Sequence, residues 1–442
     1  MMKLIQIAVR NLARYGRRTL LTASLIAIGV IAVIVFGAGA GAFKGLIVGQ
    51  MTDAMLGHLQ IHRRGYVASM DNLPLTLTMR PPRVEAIEKA LRADPEVEAY
   101  SRRLKFSGMF SNYTQTTAIR LNGVYPEEEL RTVPLLASRI TQGTAKLATG
   151  DIIIPELLST GMGVRLGDLV VVVATNRDGS VNATQLTVSG VLESATGPGG
   201  RDGYVHIDDA TSLLRMDEPE ISEIVVRIRH FDRLADAAED IRGALGVTVQ
   251  SGPAGNSRGK GDSGAARAPG QGGASGQPGI QGPSGQLEVH TWEALSPFHN
   301  VAVLIDVLVL SATLGLIAIV LISVMNVMLM SVYERVKEIG TIAAMGTMPG
   351  RILSMFVIEG LSLGMLGIVI GNAIAAAAIL LIDAIGPTFD FGRQTGLVLS
   401  PELDPGRMFV ISAVVAIVAV LGTIQPAFKA SRMEPVEALR HG

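Results

Sequence analysis

Cysteine is absent from the sequence. Its absence excludes disulfides, thiolate metal sites, a cysteine nucleophile and a lipid-bearing N-terminal cysteine in this chain. Charge is sparse too: 17% of the 442 residues are Asp, Glu, Lys or Arg, and the formal net charge is −1. No bulk basic excess therefore suggests a nucleic-acid partner. Catalytic patterns are missing, with no nucleophile elbow and no His and Asp at motif spacing. No catalytic residue is assigned, and an enzyme is not expected. What the chain has in quantity is apolar sequence: 48% of residues are hydrophobic and the mean hydropathy is positive. That points first to membrane segments.

Four stretches are long and apolar enough to span a bilayer. Residues 19–43, "TLLTASLIAIGVIAVIVFGAGAGAF", carry no charge. This run is longer than a secretory h-region and ends in a poor cleavage site, so it reads as a retained span. Residues 301–333 contain Asp306, residues 352–383 place Glu359 in an apolar run, and residues 408–428 form the last stretch. Basic residues set the orientation. Lys3, Arg10, Arg14, Arg17 and Arg18 precede the first span without an acid among them. Arg335, Lys337 and Arg351 lie between the second and third, and Lys429, Arg432 and Arg440 follow the fourth. The 384–407 loop sets Arg393 and Arg407 against Asp390, Glu402 and Asp404. By the positive-inside rule, termini 1–18 and 429–442 and the 334–351 segment face the cytoplasm. Residues 44–300 and 384–407 then lie outside. The expected fold is a membrane protein of one plus three transmembrane α-helices, with a large mixed α/β extracytoplasmic domain inserted between helices 1 and 2.

In that outer segment, "DIIIPE", "DLVVVVAT", "TQLTVSGVLE", "YVHID" and "EIVVRIR" read as strands. "RVEAIEKALRA" and "DRLADAAEDIRGAL" read as helices. Residues 251–286 turn to Gly, Ser, Pro, Ala and Gln, a composition expected to form a flexible loop. "GNSRGKGDS" within it resembles a phosphate-binding loop but fails the motif at Ala254 and Gly261. His58 and His62 would point to one strand face about 13 Å apart, and no further ligand set completes a metal site. No metal is assigned. Glu220 is expected to be a plain outer-surface acid.

Between the second and third spans stands "SVYERVKEIGTIAAMGTMPGRI". Glu334 and Glu338, four apart, would share a helix face flanked by Arg335 and Lys337. Gly346 and Pro349–Gly350 would turn the chain back into the membrane. A solvated connector is one reading; a partner surface explains the structured, charged helix better. Gly37 and Gly41 in the first span, and Gly360, Gly364, Gly367 and Gly371 in the third, are small-xxx-small pairs. They would pack helices within the chain or seat a second membrane chain. Glu359 is expected to reach the interface or pair with a cation, since no further buried acids form a proton relay.

"ERVKEIGTIAAMGTMPGRILSMFVIEG" resembles the coupling segment of the FtsX-like permease superfamily of ABC transporters, matching at Glu334, Arg335, Glu338, Ile339, Gly340, Gly346 and Glu359. Ala343 departs from the pattern, where many members carry Arg. "RNLARYGRRTLLTASLIAIGV" and "QPAFKASRMEPVEALR" resemble the family's opening and closing segments. "GHLQIHRRGY", "IIIPELLSTGMGVRLGDLVVV" and "YVHIDDATSLL" are similar to the lipoprotein-releasing (LolC/LolE-like) branch, related to MacB-type exporters.

The resemblance implies a type VII, mechanotransmission permease in the bacterial inner membrane, with a MacB-like periplasmic domain. Glu334, Arg335, Glu338, Ile339, Gly340 and Gly346 would couple it to a cytoplasmic ABC ATPase dimer. ATP and Mg would sit on that separate subunit, with no cofactor on this chain. A second permease chain, identical or not, would complete a dimer, and a periplasmic adaptor or lipoprotein acceptor could receive the cargo. Lipoprotein or another lipidic molecule is the preferred cargo. Export of hydrophobic small molecules or peptides through an adaptor, and transmembrane signalling to a cell-wall hydrolase, stand as alternatives.

Overall fold

The computed structural model describes residues 16–194, 201–247, 287–391 and 394–433. The 251–286 loop, most of both termini and Arg393 lie outside the described residues. The chain divides into two compact units, one of residues 49–299 and one combining 1–48 with 300–442.

In the second of these units, four long helices cover Gly16–Met51, His299–Glu334, Pro349–Ile385 and Pro405–Ser431. All four are apolar enough to cross a membrane. Each outruns the apolar stretch that announced it. A helix of 36 residues is about 54 Å long, against a hydrocarbon core of about 30 Å. Composition marks the lipid-length part; hydrogen bonds to i−4 carry the helix past Lys44 to Met51. Ile26, Val30, Val320, Val324, Phe356 and Val415 form the shared core of the bundle. Leu304, Leu310, Leu314, Leu381 and Phe409 stay exposed on its outside. Such a surface suits lipid or a second apolar chain and would be a liability in water. Residues 384–407, expected as a plain loop, contain a short antiparallel pair, Thr388–Phe391 with Gln394–Val398.

The other unit is a mixed α/β domain. Its strands are β1 Leu59–Arg63, β2 Val97–Ser111, β3 Thr116–Val124, β4 Ile140–Gly143 and β5 Asp151–Pro155. They continue with β6 Leu169–Thr175, β7 Val181–Leu192, β8 Gly203–His206, β9 Glu223–Ile228 and β10 Leu287–Thr291. The sheet runs β10-β1-β9-β2-β3-β8-β5-β7-β4, with β6 bonded to β2 and β7. Pairing is antiparallel except for β3 with β8 and β5 with β7. Ile61, Leu104, Phe106, Ile152, Val188 and Val226 fill the core.

The five apolar strands read from the sequence are β5 to β9, and both expected helices form, at Pro81–Ala93 and Leu234–Ala244. The central strand β2 was not announced. It carries Arg102, Arg103 and Lys105 in mid-strand, a pattern that looks solvated. Arg103 is in fact buried, its guanidinium held by Glu129 at 2.6 Å and Glu223 at 3.1 Å. A charge this deep is tolerated only when paired.

Candidate functional site: the connection between the second and third long helices

The second long helix stops at Glu334 because Arg335 leaves helical geometry, at φ −111° and ψ 19°. A short helix, Val336–Ala344, follows. Gly346 ends it at φ +85°, a left-handed position that glycine occupies without strain. Gly346 N–H donates to the Ala343 carbonyl at 3.0 Å and Thr347 N–H to the Ile342 carbonyl at 3.4 Å, the Schellman pattern of helix ends. Pro349 then opens the third long helix at its first position.

Arg335 turns inward and is only 8% exposed. Its Nε donates to Glu338 Oε2 at 3.0 Å, and its Nη1 to Glu359 Oε2 at 3.2 Å. Glu359 is itself buried on the third long helix. Its partner is thus a cation of the connection, and that pairing draws the segment against the bundle. The break at Arg335 also corrects the single helix face expected for Glu334 and Glu338. They fall on successive helices, both exposed. Ile339 lies in the bundle core and Gly340 is buried. Of the six residues expected to couple, then, Arg335, Ile339 and Gly340 shape the segment from within. Glu334, Glu338 and Gly346 face outward together with Lys337, Thr341 and Arg351. Met345 and Met348, 73% and 69% exposed, join that face. The sequence reading passed them over, although two methionines flanking a polar turn are a legible signal.

The glycine pairs divide between neighbours. A Cβ at Gly360 would collide with Thr423 Cγ2, and one at Gly364 would come within 2.7 Å of Ala419 Cβ, both on the fourth long helix. At Gly367 and Gly371 the obstacles are Ile26 and Val30 of the first, at 2.7 and 2.8 Å. Gly37 borders a side chain instead: the Arg407 guanidinium stands 2.7 Å from where its Cβ would be, and Nη1 donates to the Gly37 carbonyl at 2.9 Å. Gly41 borders the same guanidinium at 3.6 Å. Asp306 pairs with Lys44 at 2.6 Å.

The two histidines are part of the domain's packing. His58 Nδ1 accepts from Ile228 N–H at 3.1 Å, and His62 lies fully buried, stacked on Tyr66. Burial pulls the His62 pKa down to about 4, with His290 and Lys105 adding to the fall and Glu223 opposing it. Burial alone would raise Glu223, but the Lys105 and Arg103 cations hold it below its ordinary value.

Residues 19–244 match the MacB-like periplasmic core domain, and residues 310–435 match the FtsX-like permease C-terminal domain, which contains the whole connection. The chain belongs to the FtsX/MacB-type family of ABC transporter permeases. Among its relatives is the macrolide export ATP-binding/permease protein MacB of Agrobacterium fabrum, 33% identical over 118 residues, or 27% of this chain and 17% of the relative. The uncharacterized ABC transporter permease YknZ of Bacillus subtilis is 33% identical over 120 residues, 27% of this chain and 28% of that protein. MacB 1 of Aeromonas hydrophila is 40% identical over 119 residues, covering 27% and 17%. The chain thus spans less than a third of the curated relatives it matches. Among solved structures, the periplasmic region of MacB from Actinobacillus actinomycetemcomitans aligns with TM-score 0.32 and 10% identity, over 53% of this chain and 89% of that one. The extracellular domain of YknZ aligns with TM-score 0.30 and 15% identity, over 43% and 95%.

Proposed function

We propose that this permease is driven by a separate ABC ATPase that docks on the connection between its second and third long helices. The observation that carries the reading is the division of labour there. Arg335 is neutralised inside by Glu359, so the short helix is anchored while Lys337, Glu338, Met345, Met348 and Arg351 are presented outward. An anchored lever with exposed methionines and alternating charge suits a protein partner that moves it. In this reading the connection and both termini face the cytoplasm of the bacterial inner membrane, where ATP is available, and the α/β domain is periplasmic. The permease works as a dimer, and nucleotide-driven closure of the ATPase pair reaches the outer domain through the four long helices.

Similarity to the lipoprotein-releasing branch supports a lipidic cargo, preferably lipoprotein. The macrolide-export relatives favour a second reading, efflux of a hydrophobic small molecule. The two separate on ATPase stimulation of the purified permease–ATPase complex in nanodiscs. A diacylated lipopeptide should raise turnover several-fold while a macrolide leaves it unchanged. Stimulation by the macrolide alone would replace the first reading with the second.

A further inference from the structure

A pocket of about 440 Å3 opens on the α/β domain beside the start of helix Pro81–Ala93. Four of its lining side chains are arginines and one is an acid: Arg63 at the end of β1, Arg80 and Arg83 around the helix start, Arg177 between β6 and β7, and Glu220. Glu220 is not the plain surface acid the sequence suggested. Its side chain is 16% exposed, 3.7 Å from Arg80 Nε and 3.5 Å from Arg177 Nη1, and it accepts a hydrogen bond from the Thr78 hydroxyl. Arg63 donates to the Thr76 carbonyl at 3.2 Å. Among the described residues, neither Arg63 nor Arg83 has a carboxylate at ion-pair distance. One acid thus faces four guanidinium groups, and the local excess is positive.

Like charges gathered around a concavity repel one another and focus field on an incoming anion. Guanidinium forks match the oxygens of phosphate, two N–H groups to two oxygens, where a lysine offers only a point charge. The positive end of the helix dipole adds to the field. It does so without a free donor, because Pro81 and Pro82 lack N–H and Arg83 N–H is taken by the Arg80 carbonyl at 3.0 Å. The volume lies in the range of small-molecule sites and exceeds what a bare phosphate needs. We propose that this pocket binds a phosphate-bearing anion, with Arg63 and Arg83 as its principal contacts and Glu220 positioning Arg80 and Arg177. The site is independent of which cargo the permease moves.

The test is a titration of the full-length protein in detergent, in phosphate-free buffer, with inorganic phosphate and with dihexanoyl phosphatidic acid below its micellar concentration. Calorimetry should show saturable binding that weakens as salt rises. The R63Q/R83Q double variant should bind at least about tenfold more weakly, as loss of charge-assisted bidentate contacts predicts, with its ligand-free melting temperature unchanged. Arg83→Lys, which keeps the charge and loses the fork, should fall between. Arg131→Gln, an exposed arginine elsewhere on the domain, should match the parent. Tighter binding of the short-chain lipid identifies a headgroup site; equal binding identifies a site for free phosphate. No saturable binding of either probe, or full binding by R63Q/R83Q, would overturn the proposal.

Discussion

Arg335 and Glu359 form one buried pair, and the energetics of such pairs are asymmetric. Removing one member leaves the other charge less well compensated, at a cost of up to about 3–5 kcal/mol, whereas removing both can be close to neutral. For Arg335 the cost is reduced, because Glu338 still stands 3.0 Å from it. Glu359→Gln alone should therefore lower the thermal midpoint of the detergent-solubilised protein strongly. Arg335→Leu with Glu359→Leu should recover much of the loss. Equal damage from the single and double variants would mean that the pair does not act as a unit. His62 makes a second prediction at this scale. Its folded pKa of about 4 lies below the ordinary 6.5, so the unfolded chain takes up a proton that the folded domain rejects. The stability it contributes is complete above pH 6.5 and is lost as pH falls toward 4, by about 3 kcal/mol. Glu223, held low by Lys105 and Arg103, extends the loss further into acid. Among the described residues the His62 nitrogens make no hydrogen bond, so His62→Phe should keep the fold and flatten the pH 4–6.5 slope. An unchanged slope in melting experiments would remove His62 from this role.

At the scale of elements, the glycines of the third long helix decide how closely its neighbours approach. Gly360→Ala adds a methyl that meets Thr423 Cγ2, an overpacking expected to cost about 1–3 kcal/mol. Thr423→Ser removes the nearest obstacle and should restore part of that stability; a melting point for Gly360→Ala equal to the parent would show that the two helices are not held this close. These contacts also show what could be read in advance. The spans, the close-packed glycines of the third long helix and the turn at Gly346 were legible because apolar length, four-residue spacing and Gly before Pro are local signals. Gly37 and Gly41 have the same spacing but border the Arg407 guanidinium instead. The inward turn of Arg335 was not, because its explanation stands 24 residues away at Glu359. Strand β2 was hidden for the same reason. Arg103 looks like a surface residue until Glu129 and Glu223, 26 and 120 positions on, are brought beside it. The arginine pocket likewise gathers residues from 63 to 220 that no spacing connects.

At the scale of the whole molecule, one chain carries an α/β domain, a helical bundle and an exposed lever, and the proposed function requires that an ATPase grip the lever. Most of the lever's outward face was visible in the sequence, whereas its anchoring was not. A docked Glu338 would meet a basic group of the partner in a contact that loses water, and reversing its charge should cost about 2–5 kcal/mol, more than a tenfold loss of affinity. Glu338 also bonds to Arg335, so Met345→Lys serves as an independent variant that leaves this ion pair intact. The deciding measurement is the molar ratio of ABC ATPase to permease after affinity purification through the permease, with ATP turnover recorded on the same samples. The parent and Glu127→Lys, a control on a side chain that is 90% exposed in the α/β domain, should carry a full complement of ATPase. Glu338→Lys and Met345→Lys should both insert, Met345→Lys with the parental melting point, yet lose at least nine-tenths of the ATPase and of the turnover. If both variants retain the full ratio and normal turnover, the ATPase does not dock on this connection.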